Sequence, residues 1–196
     1  MSKEKFITLK STAVPLSIEN IDTDQIIPAR FLKATTREGF GENLFCDWRY
    51  DGDGKPKADF VLNNPKYSGK ILVAGKNFGC GSSREHAAWA IYDAGFRVVI
   101  SSFFADIFKG NALNNALLPI TVSDAFLKKT FDAIEKNSKT EINVDLQNQK
   151  VTLEDGTSES FDINAYKKIC LTNAYDDIDY LISLHEDIRK FDVAHS

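Results

Sequence analysis

The chain has 196 residues, of which 43% are hydrophobic and 27% are charged, and this composition is typical of a globular protein with one well-packed core. Its 24 basic and 28 acidic residues give a net charge of −4 without a basic stripe that could follow a phosphate backbone, so nucleic acid is not an expected partner. No apolar run is long enough to cross a membrane, and Met1 to Lys5 lead into no signal-peptide core. We therefore expect a cytoplasmic protein with no membrane partner.

The three cysteines, Cys46, Cys80 and Cys170, are odd in number and widely spaced, which argues against a disulfide framework. The chain has no Cys-x-x-Cys pair, so its own sequence predicts no bound metal and no iron–sulfur cluster. Cys80 follows a glycine and precedes a predicted helix, where a thiol could become nucleophilic. A small residue tolerated in a tight loop is the simpler interpretation.

The N-terminal part predicts two short strands, over 6–10 and 13–15, followed by a polar, turn-rich stretch over 19–25. A long segment over about 31–57 comes next, and segments of that length in compact chains are usually functional or disordered. Its aromatic residues favour an ordered loop that contacts substrate or a partner; they are Phe40, Phe45, Trp48 and Tyr50.

The centre of the chain predicts a strand, a glycine-rich turn, a helix and a second strand. Residues 70–75 are apolar enough for a buried strand, and the stretch Asn77-Phe78-Gly79-Cys80-Gly81-Ser82-Ser83-Arg84-Glu85-His86 follows directly. Ser82 or Ser83 is the predicted N-cap of a helix over about 83–94, which Gly95 ends. Residues 97–101 read as another strand, so the whole forms a β-loop-α-β unit.

This turn is suited to binding an anion. The first N–H groups of a helix have no partner within the helix and carry the positive end of its dipole. Arg84 would add a planar, permanently charged guanidinium that can bind a carboxylate. A P-loop is excluded because no Lys-Ser or Lys-Thr pair closes the motif, and a dinucleotide fingerprint would need a glycine at Arg84. The plainer alternative is that Ser82 only caps a helix and Arg84 only decorates its first turn.

The remaining elements are a mixture of helices and strands. Phe103, Ile107 and their apolar neighbours predict short buried helices that end at Pro119, and Ser123 predicts the cap of the next helix. A surface hairpin is expected over 141–153, and Asp176 should cap a helical tail over about 176–196 that includes Ile188. A single α/β domain over 1–196 is the resulting prediction.

Three segments of the chain resemble the aconitase family. They are residues 77–87, the run Ile21-Asp22-Thr23-Asp24-Gln25-Ile26-Ile27-Pro28, and 43–50. The likeness extends over 103–119 and so covers most of the chain, and the Gly-Ser-Ser-Arg-Glu-His core is specific to that family. Cys80 stands where aconitase has a glutamate, which points to the isopropylmalate branch.

The resemblance implies a fold and a reaction. The fold would be a swivelling β/β/α domain like the mobile terminal domain of aconitase, here carried by a separate small subunit. The reaction would convert 2-isopropylmalate to 3-isopropylmalate through 2-isopropylmaleate in leucine biosynthesis, and it requires a large subunit as partner. A 4Fe-4S cluster would lie on that large subunit and none on this chain, and the substrate is a small dicarboxylate.

The resemblance also implies residue roles. Ser82 matches the family's catalytic base, and Asp24 matches an aspartate that orders the catalytic site. Ser83 and Arg84 match substrate-binding positions, and Arg37 aligns with a substrate-contacting arginine if one insertion is allowed. Two of these positions have plainer alternatives, because Asp24 could be only a turn residue and Arg37 only an exposed loop charge.

Three other functions stay open from the sequence. The chain could be the small subunit of a related dicarboxylate hydro-lyase that acts on homoaconitate or citraconate. It could be a stand-alone anion-binding module that uses the helix N-terminus without chemistry. A cysteine hydrolase built on Cys80 is the least favoured, because the sequence places no histidine beside it as a base.

Overall fold

The computed structural model describes residues 4–33 and 35–195, so Ala34 in the predicted loop and Ser196 in the predicted tail lie outside the described residues. The strands are β1 (Thr8–Ser11), β2 (Ala13–Leu16), β3 (Ile71–Ala74), β4 (Val98–Ser101), β5 (Leu118–Thr121), β6 (Ile142–Asp145), β7 (Lys150–Thr152) and β8 (Ser158–Ser160). The α-helices are α1 (Thr23–Ile26), α2 (Cys46–Arg49), α3 (Glu85–Asp93), α4 (Asp106–Asn114), α5 (Asp124–Lys136), α6 (Ala165–Asn173), α7 (Asp177–Ser183) and α8 (His185–His195). Short 3-10 helices occupy Ala29–Phe31, Phe40–Asn43 and Val61–Asn63.

The strands form two four-stranded sheets. One is antiparallel in the order β1-β6-β7-β8, and the other is parallel in the order β2-β3-β4-β5. The chain passes from the first sheet to the second at Thr12, whose hydroxyl donates to the carbonyl of Ser68 at 2.6 Å. The predicted hairpin over 141–153 is therefore present as β6 and β7, but it is not an isolated surface hairpin, because Val144 and Val151 are buried and strands flank it on both sides.

The parallel sheet provides the core on which the rest of the chain packs. All four residues of β3 and all four of β4 are buried, as expected for central strands covered on both faces. The edge strands carry the prolines, Pro15 in β2 and Pro119 in β5, where a missing N–H does not interrupt the ladder. The prediction that Pro119 ends a helix is therefore wrong, because the helix stops at Asn114 and a strand follows.

Two βαβ units are present where the sequence showed one clearly. α3 connects β3 to β4 and α4 connects β4 to β5, all with parallel pairing. The predicted end of α3 is confirmed, since Gly95 follows it with φ +99°. Phe103 and Ile107 were expected in the core but are 50% and 55% exposed. The buried residues of α4, Phe108 and Ala112, lie four apart on one face, which turns Ile107 outward.

The predicted caps of two later helices are confirmed, but the C-terminal tail divides into two helices. The Ser123 hydroxyl accepts from the N–H of Phe126 at the start of α5, and Asp176 forms a capping box with Asp179 at the start of α7.

α7 ends at Ser183, whose hydroxyl donates to the Tyr180 carbonyl at 2.6 Å and so competes with the backbone hydrogen bonds of the helix. Ile188, expected on the same helix, lies on α8. Six apolar side chains of α7 and α8 are exposed: Ile178, Leu181, Ile182, Ile188, Phe191 and Val193.

The middle of the 31–57 segment, residues 40–50, is packed against the core, whereas residues 35–39 and 51–56 are exposed. Phe45 is fully buried, and its ring stacks on Trp48 with centroids 5.6 Å apart. Further along, the 3-10 helix that contains Gly41 rests on the end of α3, where the Gly41 N–H donates to Asp93 Oδ2 at 2.7 Å. A Cβ at Gly41 would lie 2.3 Å from the backbone nitrogen of Ala94, so the two backbones touch only because residue 41 has no side chain.

We predict that Gly41→Ala lowers the free energy of unfolding by about 1–3 kcal/mol, because the added methyl group must push two backbones apart. Thermal unfolding of the purified chain checks this, with an expected fall in Tm of about 2–4 °C for each kcal/mol. Gly52→Ala is the matched control, since a Cβ there meets nothing within 4 Å. Equal melting temperatures for the two variants would contradict the close approach of this segment to α3.

Candidate active site

The glycine-rich stretch forms the loop between β3 and α3. Its backbone takes positive φ at Asn77 (62°), Gly79 (75°) and Gly81 (84°). Two features exclude a side chain at Gly79. Its φ is positive, and a Cβ would lie 2.3 Å from Cγ of the buried Phe108. The loop therefore has one tight path from the end of the strand to the start of the helix.

The start of α3 differs from the sequence prediction. The N-cap is Arg84, in an extended conformation with φ −127° and ψ 106°, and no side chain caps the helix there. Ser82 and Ser83, which the sequence predicted as caps, lie in the loop and are exposed. A polar residue before a helix is a common capping signal. Here the backbone takes positive φ at Gly81 and the helix begins only after Arg84, so neither serine occupies the N-cap position. Both hydroxyls are consequently presented to solvent beside the helix N-terminus.

The segment around Asp22 docks along this loop. The N–H of Gly79 donates to the Ile21 carbonyl at 2.7 Å, and the N–H of Thr23 donates to the Cys80 carbonyl at 3.0 Å. The Thr23 hydroxyl donates to the carbonyl of Ser82 at 2.8 Å, across 59 residues of sequence. Thr23 is 2% exposed, so this bond is shielded from water and fixes the backbone at Ser82. Sequence reasoning assigns Thr23 no role, since nothing local indicates its partner.

The docking places Asp24 against Arg84. Asp24 Oδ1 and Arg84 Nη1 form an ion pair in which the arginine side chain is 13% exposed and the aspartate side chain 53% exposed. A mostly buried guanidinium needs a compensating charge, and Asp24 supplies it. The structure thus brings together four of the five residues predicted for the site: Asp24, Ser82, Ser83 and Arg84.

The fifth predicted residue, Arg37, reaches the first turn of α3. Its Nη2 lies 3.5 Å from Glu85 Oε1, and its guanidinium carbon lies 4.7 Å from the ring centroid of Trp89. Burial raises the pKa of Glu85, but hydrogen bonds from Asn115 and Trp89 and the charge of Arg37 outweigh it, so the pKa lies below its usual value. Glu85 belongs to the glycine-rich stretch singled out from the sequence. Its contacts with Arg37 and Asn115 could not be expected from the sequence, because both residues are distant from Glu85 along the chain.

Cys80 and His86 take structural places. The thiol of Cys80 donates to the Asn20 carbonyl with sulfur and oxygen 3.5 Å apart. The ring of His86 packs on Phe40 and Trp89, with centroids 5.7 and 4.4 Å away. For Cys80, the contact with Asn20 agrees with the simpler interpretation, a small residue tolerated in a tight loop.

Within residues 4–33 and 35–195, no group of three or more His, Cys, Asp and Glu side chains is arranged to hold a metal ion. Over the same residues, no helix combines the length and the apolar character needed to cross a membrane.

Comparisons with known proteins agree with this architecture. Residues 3–125 match the family model of the aconitase C-terminal domain, and residues 130–165 match a model described as LeuD_N. The 3-isopropylmalate dehydratase small subunit of Cytophaga hutchinsonii is 71% identical over 191 residues, covering 96% of this chain and 94% of that protein. The small subunit of Christiangramia forsetii is 67% identical over 190 residues, covering 96% and 93%.

A solved structure gives the same result for the fold. The 3-isopropylmalate dehydratase of Methanocaldococcus jannaschii is 26% identical, with a TM-score of 0.66, and the match covers 94% of this chain and 99% of that one. The predicted fold class, an α/β domain of the aconitase C-terminal type, is confirmed. The chain belongs to the aconitase family, among its 3-isopropylmalate dehydratase small subunits.

Proposed function

We propose that this chain supplies half of the active site that converts 2-isopropylmalate to 3-isopropylmalate through 2-isopropylmaleate, a step in leucine biosynthesis. The observation that carries the proposal is the exposed pair of hydroxyls, Ser82 and Ser83, beside the Arg84–Asp24 ion pair at the N-terminus of α3. The site has what the elimination of water beside a carboxylate requires of this chain: an oxygen base and fixed positive charge.

Ser82 acts as the base that takes the proton from the carbon next to a substrate carboxylate. Forming a serine alkoxide is costly at neutral pH, and nearby positive potential reduces that cost. The first N–H groups of α3 and the guanidinium of Arg84 provide this potential next to Ser82. Thr23 holds the Ser82 carbonyl, so the backbone that carries the base is fixed before substrate arrives.

The carboxylates of the substrate bind to Ser83, Arg84 and Arg37. Two guanidinium groups and a hydroxyl suit a dicarboxylate, whose charge grows as the proton leaves. Asp24 orders the site by holding the guanidinium of Arg84 through their ion pair. The partly exposed apolar side chains at the start of the 31–41 segment, Phe31 and Leu32, meet the isopropyl group.

The site is completed by a large subunit that carries a 4Fe-4S cluster. Such a cluster supplies Lewis-acid chemistry, which makes the substrate hydroxyl a better leaving group. The assembled enzyme acts in the cytoplasm on a small dicarboxylate and binds neither nucleic acid nor membrane. The odd number and wide spacing of Cys46, Cys80 and Cys170 argue against a disulfide framework, which supports an assignment to a reducing compartment.

Two other functions are separated from this one by substrate and by partner. A homoaconitate or citraconate hydro-lyase would use the same residues, and the assembled complex would prefer those acids over 2-isopropylmalate. A stand-alone anion-binding module would hold a dicarboxylate tightly without the large subunit, whereas half a site binds it weakly. Calorimetric titration of the isolated chain with 2-isopropylmalate distinguishes the module from the subunit.

We predict that Ser82→Ala lowers kcat by about 10²- to 10⁴-fold, the usual contribution of a positioned general base. The measurement is the formation of 2-isopropylmaleate from 2-isopropylmalate by the chain mixed with a cluster-loaded large subunit. Ser68→Ala, at an exposed serine elsewhere, is the matched control and should leave turnover unchanged. Full turnover by Ser82→Ala would remove Ser82 from the mechanism.

We predict that Asp24→Asn lowers the free energy of unfolding by about 1–3 kcal/mol, because it leaves the mostly buried Arg84 charge without its counter-charge. Urea unfolding of the isolated chain measures this. The same variant should lower kcat/KM in the assembled enzyme, since Arg84 is no longer oriented. Asp59→Asn, at an exposed carboxylate in a loop, is the control; if both variants unfold alike, the ion pair does not stabilise the site.

A further inference from the structure

A cluster of side chains on α3 holds the guanidinium of Arg37 at a defined place. Arg37 lies with its guanidinium carbon 4.7 Å over the Trp89 ring and its Nη2 3.5 Å from Glu85 Oε1. The arginine side chain is 45% exposed, so the two contacts fix it without burying it. Both contacts come from the first two turns of the helix that Ser82, Ser83 and Arg84 precede.

The carboxylate of Glu85 is itself fixed by the fold. Its Oε1 accepts from Asn115 Nδ2 at 3.0 Å and from Trp89 Nε1 at 3.2 Å. Asn115 is 4% exposed and also donates to the Asn111 carbonyl at 2.8 Å, so it is a rigid support rather than a surface side chain. An acceptor held in this way can orient a flexible arginine, because little of its own freedom is lost on contact.

The ring of Trp89 is fixed from the other side. Its centroid lies 4.4 Å from that of His86 and 6.2 Å from that of Phe40, which is buried. Phe40 comes from the same segment as Arg37, so this segment is held on α3 at two points, one apolar and one charged. The apolar point can hold the backbone in place even when the charged point is removed.

We propose that Glu85 and Trp89 are positioning residues that hold Arg37 beside the N-terminus of α3, ready to receive a substrate carboxylate. The inference rests on the proposed function, in which Arg37 binds substrate. A guanidinium has five N–H donors, and the contact with Glu85 engages one nitrogen, so another edge can bind a carboxylate in bidentate fashion. Glu85 and Trp89 act through Arg37 and do not touch the reacting atoms.

The first test is made on the isolated chain and needs no activity. Trp48 and Trp89 are the two tryptophans, so a ¹⁵N-labelled sample gives two indole resonances, and Trp48→Phe identifies the one from Trp89. Arg37→Gln should shift the Trp89 resonance, because the cation over its ring is gone. Lys33→Gln, which removes a positive charge from the same segment, should leave it in place. An unchanged Trp89 resonance in Arg37→Gln would overturn the proposal.

The second test is kinetic and uses the enzyme assembled with a cluster-loaded large subunit. Glu85→Gln keeps an oxygen acceptor for Asn115 and Trp89 but removes the charge that faces Arg37. We expect KM for 2-isopropylmalate to rise about tenfold, equal to about 1.4 kcal/mol. We expect kcat to stay within about twofold, since only substrate placement is affected. In the Arg37→Gln background the same substitution should change KM no further.

The outcomes separate this inference from the proposed function. If the effects of Glu85→Gln and Arg37→Gln on KM multiply, Glu85 does not act through Arg37 and the proposal is overturned. If the wild-type complex fails to convert 2-isopropylmalate, the proposed function fails, and the indole resonance still decides whether α3 holds Arg37. Melting temperatures of the variants identify any loss of activity that comes from unfolding.

Discussion

The backbone hydrogen bonds between Ile21–Thr23 and Gly79–Cys80 are the interaction on which the site depends. They join two polar segments that each follow a strand of the parallel sheet, and they bring the Asp24 carboxylate to the Arg84 guanidinium. Without that docking, a mostly buried arginine would lack a counter-charge, and the loop with its positive φ angles would lack its partner. The same docking brings the Thr23 hydroxyl to the Ser82 carbonyl, so stability and the proposed chemistry rest on neighbouring contacts.

Both ends of helix α3 contact the 31–57 segment, and these contacts fix its residues 37–41. Near its N-terminus, Glu85 and Trp89 meet Arg37, and at its C-terminus, Asp93 and Ala94 meet Gly41. A single rigid helix thus determines where a long segment can lie relative to the serines that precede it. This arrangement explains how a segment with few regular elements of its own can contribute to a defined site.

The exposure of Ser82 and Ser83 indicates which part of the proposed active site a second subunit would have to contribute. Elimination of water is favoured where solvent is excluded and fixed dipoles surround the developing charge. The proposed base, Ser82, lies open to solvent on the surface of this chain, so we expect a second surface to close over it for efficient catalysis. Under the proposed function, the large subunit would supply that surface as well as the Lewis acid.

Elements whose signals are local could be predicted from the amino-acid sequence. The buried strands β3 and β4, the end of α3 at Gly95 and the caps at Ser123 and Asp176 follow from hydrophobic runs and hydrogen bonds between near neighbours. The glycine-rich loop could also be recognised locally, because its glycines, hydroxyls and arginine lie together in the sequence. Three features became visible only in the folded chain: Arg84 and not a serine precedes the helix, Pro119 lies in an edge strand, and Arg37 meets Glu85. Those features depend on the path of the chain between distant residues, and the energy of such contacts is not encoded in any short stretch of sequence.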